Sequence, residues 1–398
     1  MKKEYEFLAT GRKESMFKVD IENNLQELNT KISQSRIAII GAAGSIGSSV
    51  VRELVKYNPK EVCLFDINEN NLVEVVRELR SSSELNLPSE FSALPIGLGS
   101  YEFLQFFKDH EPFDYVFNLC ALKHVRTEKD KYCIKRMIDT NILFINSFLK
   151  EVGYSFKKFF SVSSDKAVAP ANVMGASKMA MEKILLLNSE KQPFTSARFA
   201  NVAFSDGSLP YSFLNRINKR QPIVAPSDIK RYFISHEEAA QLCVLAAMIG
   251  KNKDVFFPKM LEELHEKTFK EIALSLLETL NIKAIECSSE EEAKNLFTKG
   301  LNQNEWPCYF PRSTTSGEKP YEEFFKPSDT VNWDKFDAIG FVSQDFSEVN
   351  EDEIHSFLNF AYDSACSLQS KKEYIINLKK IVHDFQHIET NRNLDQKM

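Results

Sequence analysis

The sequence predicts an α/β fold: a doubly wound parallel sheet, a smaller C-terminal domain, and helical extensions at both ends. Three observations carry that expectation. A short apolar, β-branched run, Arg36-Ile-Ala-Ile-Ile40, stops on the glycine turn Gly41-Ala-Ala-Gly44-Ser-Ile-Gly47, and a helical stretch follows. Strand-like and helix-like segments then alternate to about residue 200, as they do where βαβ units build a parallel sheet covered on both faces. Beyond residue 200 the alternation breaks down and Gly and Pro become commoner, as in SDGSLP and KRQPIVAPSD. Together these make the expected fold Rossmann-like.

Taken in order, residues 1–34 are charged and helix-prone, an N-terminal helical arm. Residues 35–200 are expected to form a dinucleotide-binding domain. Its strands fall at 36–40, 61–65 (EVCLF), 91–96, 115–119 (YVFNL), 159–163 (FFSVS) and 194–199, with helices at 45–56, 68–81, 101–110, 133–151 and 174–189. Residues 201–326 read as a smaller, irregular region that binds mainly substrate and of which some returns to the sheet. Residues 327–398 are mostly charged and helix-like, a C-terminal helical extension with no motif.

Composition removes several classes of function. The 398 residues are 43% hydrophobic and 27% charged, ordinary for a globular protein. With 50 Lys+Arg against 56 Asp+Glu the net charge is −6, and a mildly acidic surface does not suit phosphate neutralisation, so no nucleic-acid partner is expected. The best apolar runs, such as 243–250, are less than half the ~20 residues of a membrane span. Residues 1–13 lack the apolar core of a signal peptide. Seven scattered cysteines without a Cys-x-x-Cys read as free thiols in a reducing compartment, hence a cytoplasmic protein.

The glycine turn is the first chemical motif. One glycine permits the tight turn, one lets the backbone approach a pyrophosphate, and one lets helix pack on strand. The N–H groups of Ser45, Ile46 and Gly47 at the helix start then face the anion. Nineteen residues after Gly47, the second strand ends in Asp66, placed to bind adenosine ribose hydroxyls; its charge favours NAD over NADP. A helix cap before Asn68 is the plainer role for Asp66, and both roles can hold together.

The second motif is the run from Phe159 to Lys178, in which an apolar strand ends in Ser164-Asp165-Lys166 at the carboxyl edge of the sheet. Past the strand end Asp165 and Lys166 can turn toward one cavity, and Met174 and Lys178 share a helix face four residues apart. Alone, the Asp-Lys pair reads as a surface salt bridge.

These residues, in this order, resemble the extended short-chain dehydrogenases. More narrowly they resemble the polysaccharide-biosynthesis nucleotide-sugar 4,6-dehydratases, whose best-known substrate is UDP-N-acetylglucosamine. The resemblance covers residues 35–326 and includes Ala121-Leu-Lys-His-Val125, Thr140-Asn141, Asn172-Val-Met-Gly-Ala-Ser-Lys178, Arg198-Phe-Ala-Asn-Val202, Arg231-Tyr-Phe233 and Gly317-Glu-Lys-Pro-Tyr-Glu-Glu323. It implies bound NAD, with Ala121 and Lys178 joining Gly41, Gly44, Ser45, Ile46, Gly47 and Asp66 around it. It implies a UDP-sugar held by Lys123, His124, Asn141, Arg198, Asn201, Arg231, Glu318 and Glu322, with Arg suited to the diphosphate. His124 could equally be packed core. Relatives are commonly oligomeric, so a homo-oligomer is expected, with contacts at the chain ends.

Met174 stands where most short-chain dehydrogenases have the Tyr that deprotonates the sugar hydroxyl. One branch of the dehydratases also carries Met and is similar in leaving most proton transfers to the Asp-Lys dyad, retaining configuration at sugar carbon 5. The implied roles are a neutral Lys166 that removes the carbon 5 proton, a protonated Asp165 that donates to the departing 6-hydroxyl, Ser164 on the 4-oxygen and Lys178 on the nicotinamide ribose. The third strand ends Ile96-Gly-Leu-Gly99 where relatives offer an Asp to adenine, and Thr315-Ser-Gly-Glu-Lys319 lacks an Arg found in relatives, a contact that Arg312 could supply. A 4-epimerase or reductase on the same scaffold needs no carbon 5 base. A non-catalytic NAD sensor fits the missing Tyr but not the retained Ser164, Asp165, Lys166 and Lys178. His383 and His387 lie four residues apart, but no third ligand accompanies them, so no metal is expected.

Overall fold

The computed structural model describes residues 2–259, 266–302, 304–313, 323–346, 349–365 and 367–388. The chain opens with three short helices, α1 (Lys2–Thr10), α2 (Lys18–Asn23) and α3 (Leu25–Ser33). It then alternates β1 (Arg36–Ile40), α4 (Ser45–Val55), β2 (Glu61–Phe65), α5 (Glu69–Ser81), β3 (Glu90–Leu94), α6 (Tyr101–Asp109) and β4 (Tyr115–Asn118). Next come α7 (Lys131–Ile138), α8 (Phe144–Glu151), β5 (Lys158–Ser164), α9 (Val173–Leu187) and β6 (Phe194–Phe199). The later elements are α10 (Leu209–Asn218), α11 (His236–Ile249), β7 (Asp254–Pro258), α12 (Phe269–Thr279), α13 (Glu290–Lys299), β8 (Val331–Asn332), β9 (Ile339–Ser343), α14 (Glu351–Asp363) and α15 (Lys371–Ile381).

Among the described residues the main sheet has nine strands in the order β8-β9-β7-β6-β5-β4-β1-β2-β3. The seven from β7 to β3 run parallel, and β9 and β8 are antiparallel additions at one edge. Strand order reverses between β1 and β4, the switch point at which such sheets open a crevice. β1, β2 and β6 are buried on both faces because helices cover both. One face packs α3, α4, α5 and α11 through residues such as Leu28, Val50, Leu54, Val75 and Val244. The other packs α6, α8 and α9 through Phe103, Phe107, Phe148, Phe159 and Leu185, a phenylalanine cluster with ring centroids about 5 Å apart.

Two elements differ from the expected layout. Residues 331–343 do not belong to a helical extension: β9, IGFVS, pairs antiparallel with β7 and buries four of its five residues. Its β-branched and aromatic residues complete the sheet, and only α14 and α15 are helical behind it. The expected helix 133–151 is interrupted by a π-helical turn, Asp139–Leu143, where the Phe144 N–H reaches back to Asp139 O.

The smaller region has its own core of Phe213, Ile223, Phe233, Ile272, Leu276, Leu277 and Trp306. The described part of the N-terminal arm, residues 2–34, packs on its own chain. Ala9 joins that small core. Arg12 forks onto the buried carboxylate of Glu238 at 2.8 and 2.7 Å, and Asp20 accepts from the Asp337 and Ala338 N–H groups. No helix among the described residues is long and apolar enough to cross a membrane.

Candidate active site

The glycine turn sits at the switch point, and the space around it explains its composition. Gly41 has φ +77°, a conformation that glycine adopts freely. A Cβ there would lie 2.8 Å from Cys120 N, so β1 and the loop after β4 could not meet as they do. A Cβ on Gly47 would lie 2.0 Å from Gly41 O, closing the turn against its own helix. Gly44 is the N-cap of α4 and offers no side-chain cap, so the N–H groups of Ser45, Ile46 and Gly47 have no partner along the helix. Asp66 spans the mouth: Oδ2 accepts from Ala43 N at 2.9 Å and Oδ1 from Asn68 N at 2.8 Å. The cap of α5 is Asn68 itself, which accepts from Asn71 N at 3.0 Å. Each Asp66 oxygen keeps a lone pair for a hydroxyl. A bare backbone cradle, a helix N-terminus and a carboxylate at the second strand end fit a dinucleotide.

The second cluster stands at the end of β5. Ser164 donates to Asp165 Oδ1 at 2.8 Å, and the Lys166 N–H donates to the same oxygen at 2.8 Å. Lys166 Nζ lies 3.1 Å from Asp165 Oδ1 and 3.4 Å from Oδ2. Asp165 is buried, whereas a fifth of the Lys166 side chain reaches solvent. The turn at Asp165–Ala167 brings both side chains to one side, which regular strand geometry would forbid.

Helix α9 approaches this turn closely because its first turn contains Gly175, where a Cβ would lie 2.1 Å from Lys166 O. Asn172 caps it by accepting from Gly175 N at 2.8 Å. Met174 is buried in the first turn and packs into an apolar cluster with α7, α14 and α15. Lys178, 3% exposed, donates from Nζ to Val162 O at 2.9 Å. Burial pushes its ammonium down to about 8, because the charged form loses hydration it does not recover.

A family model described as "Polysaccharide biosynthesis protein" matches residues 37–344. The chain belongs to that family. The capsular polysaccharide biosynthesis protein CapD of Staphylococcus aureus is 29% identical over 298 residues, 72% of this chain and 48% of CapD. The probable polysaccharide biosynthesis protein EpsC of Bacillus subtilis is 28% identical over 289 residues, 70% of this chain and 47% of EpsC. This chain therefore spans about half the length of these two relatives. The X-ray structure of Pen from Bacillus thuringiensis superposes with a TM-score of 0.64 at 22% identity, over 84% of this chain and 98% of Pen, and shows the shared fold.

The remaining predicted residues divide by what they touch. Ala121 and Lys123 lie on the loop after β4, partly buried and exposed respectively. His124 stands beside Gly207, where a Cβ would come within 2.9 Å of Nε2. Asn201 lies on the first strand past β6, and its Nδ2 is buried with no hydrogen-bond partner among the described residues. Arg231 is buried and donates to Lys230 O at 2.8 Å. Asn141 is 0% exposed and sits in the π-helical turn. Its amide accepts from Leu122 N and donates to Leu122 O and to Ser177 Oγ, so it ties the β4 loop to α9 rather than facing a sugar.

Arg198 is a correction. The structure places it in the core, 3% exposed, with its guanidinium forked on Glu182 at 3.1 and 2.6 Å and donating to Phe324 O at 2.7 Å. Buried Arg needs a carboxylate partner, and here that partner is internal. Glu318 and Glu322 lie outside the described residues, as does the segment Thr315–Lys319. His383 pairs with Glu353 at 3.1 Å, and His387 meets Phe385 edge-on.

Sequence reasoning passed over Glu182, Gly175 and Asp206. Glu182 carried a signal, its i+4 spacing from Lys178. Asp206 carried none; its N–H donates to Ser45 Oγ at 2.8 Å across 161 residues, joining the loop after β6 to the glycine turn. That hydroxyl keeps its own proton for an anion.

Proposed function

We propose that the protein is an NAD-dependent UDP-N-acetylglucosamine 4,6-dehydratase that retains configuration at sugar carbon 5 and yields a 4-keto-6-deoxy sugar nucleotide for surface glycan synthesis. The observation that supports this most is the Asp165–Lys166 pair, 3.1 Å apart at the carboxyl end of β5. NAD, which the glycine turn from Gly41 to Gly47 and Asp66 would hold, would supply reversible hydride transfer between the sugar carbons 4 and 6. Oxidation at carbon 4 acidifies the carbon 5 proton. One proton passed from Lys166 Nζ to Asp165 converts the resting ion pair into a neutral amine and a neutral acid, the forms the elimination needs. The amine takes the carbon 5 proton and the acid protonates the departing 6-hydroxyl, so water leaves and both groups return to their charged forms; as hydride reaches carbon 6, the Lys166 ammonium, exchanged with solvent, gives a proton back to the same face of carbon 5. Ser164 holds the 4-oxygen. Lys178 holds the nicotinamide ribose, and with Met174 unable to take the 4-hydroxyl proton, Lys178 through that ribose hydroxyl or Asp165 through a water removes it. Asn201 Nδ2 and Arg231 hold the nucleotide diphosphate.

Epimerisation at carbon 4 is the second reading, because UDP-glucose 4-epimerases of Rickettsia align with 56% of this chain at 28–29% identity. Incubation with UDP-N-acetylglucosamine in deuterated water, followed by proton NMR, separates the two. A new 6-deoxy methyl signal with deuterium at carbon 5 supports the dehydratase. A 4-epimer without a methyl signal replaces it with the epimerase, and NAD binding without turnover of any sugar nucleotide leaves a sensor.

A further inference from the structure

Helix α9 carries Lys178 and Glu182 one turn apart, a spacing that ordinarily pairs a lysine with a glutamate. Here it does not. Glu182 is 0% exposed and both its oxygens are taken. Oε1 accepts from Arg198 Nε at 3.1 Å and from the Ser163 hydroxyl; Oε2 accepts from Arg198 Nη2 at 2.6 Å and from Gln344 Nε2 at 2.8 Å. Four donors from β5, β6 and the residue after β9 converge on one carboxylate. Lys178 turns the other way and donates to Val162 O.

We infer that Arg198 is a positioning residue for Lys178: by occupying the Glu182 carboxylate from β6, it denies the lysine an ion-pair partner and leaves the ammonium to Val162 O and to the hydroxyls of a bound ligand. A lysine locked onto a carboxylate would hold its proton tightly and point down its own helix. A lysine without one sits close to its titration point and faces the strand end. The groups facing Lys178 support this. Cys120, from the loop after β4, is the other titratable neighbour, and burial pushes its thiol up, so it stays uncharged. Asp66 and Arg136 act on Cys120 with opposite signs. Glu182 is the remaining anion that acts on the lysine, raising it against the larger effect of burial. The Arg198–Glu182 pair thus supplies charge balance below the lysine without joining it.

The inference rests on Lys178 serving a ligand, but its test reads the lysine directly. The full chain, labelled with ¹³C at lysine Cε, is titrated by NMR without substrate, and the Lys178 signal is assigned by its loss in Lys178→Met. In Arg198→Met the exposed charge of Glu182 raises the Lys178 midpoint by about one pH unit; in Glu182→Gln the uncompensated Arg198 lowers it by a similar amount. Arg198→Lys, which keeps the charge and gives up the fork, returns the midpoint to within about half a unit of the parent. Opposite shifts from the two partners, with rescue by lysine, are what a pair electrostatically uncoupled from Lys178 would not produce. A midpoint that stays put, or moves the same way in both variants, overturns the inference. Where Arg198→Met does not fold, Gln344→Leu strips one donor from the same carboxylate without unpairing a charge; an upward shift of a few tenths is expected, and its absence is equally decisive. Loss of the deoxy-methyl product in the parent protein would overturn the dehydratase and leave this titration result standing.

Discussion

Two lysines, one on helix α9 and one on the turn that packs against it, meet carboxylates in opposite ways. Lys166 is paired with Asp165 at the rim, where a fifth of its side chain is wet, whereas Lys178 is sealed beneath and has no carboxylate within ion-pairing distance among the described residues. The difference teaches what each setting suits. A pair whose lysine reaches water while its carboxylate is buried can pass a proton between its members and exchange it with solvent through the lysine. A sealed lysine pays heavily for its charge and is poised to give the proton up. The sealed carboxylate nearby, Glu182, is held by a guanidinium that cannot be deprotonated, so it cannot join in.

Breaking the rim pair has the largest expected effect. Lys166→Ala lowers formation of the deoxy-methyl product by about 10²–10⁴-fold, the range for loss of a general base, while NAD affinity by calorimetry stays unchanged. Retained turnover would remove Lys166 from the chemistry. Asp165→Asn keeps the volume and loses the acid; turnover falls by about 10²-fold or more, and a substrate bearing a better leaving group at carbon 6 recovers part of it.

Removing the sealed charge acts on stability instead. The folded-state value of Lys178 is about 8 and the ordinary value is 10.5, so between these the unfolded chain binds more protons and the parent gains stability as pH rises. The burial cost is fully present below pH 8. In Lys178→Met that cost is absent, so the unfolding free energy of the variant relative to the parent moves against the variant by about 3 kcal/mol between pH 8 and 10.5, as read by denaturant titration at each pH. A flat difference would mean that Lys178 is hydrated in the folded protein. The smallest effect is expected for Ser164→Ala, which takes one donor from Asp165: about 1 kcal/mol of stability and about tenfold in turnover.

Much of this was legible in the sequence up to residue 200. β1 and β2 are short, mainly apolar runs, and β6, though it carries Thr195, Ser196 and Arg198, begins and ends on phenylalanine; their observed bounds match those expected at 36–40, 61–65 and 194–199. What could not be read depends on partners distant in the chain. β9 was hidden in a charged stretch because its five residues are decided by pairing with β7, some 85 residues earlier. The π-helical turn was not legible, and the Asn141 it carries bonds the backbone of Leu122, 19 residues away, a partner no local pattern shows. Arg198 looked like a ligand contact because sequence shows an arginine and not the glutamate that occupies it. Asp165 and Lys166, adjacent in the chain, needed no distant information to be brought together.

The contacts of the N-terminal arm set an order of events during synthesis. Asp20 is received by the backbone of Asp337 and Ala338, which leave the ribosome more than 300 residues after it. At roughly 5–20 residues per second the arm waits about 15–60 s for this seat, and Arg12 waits almost as long for Glu238. For that interval Phe17, Leu28 and Ile32, buried in the finished protein, lack the later part of the cluster that covers them, Val244, Phe336 and Ala338 among it. The arm is therefore a stretch that stays open on the nascent chain until the sheet edge at residues 337–338 has emerged.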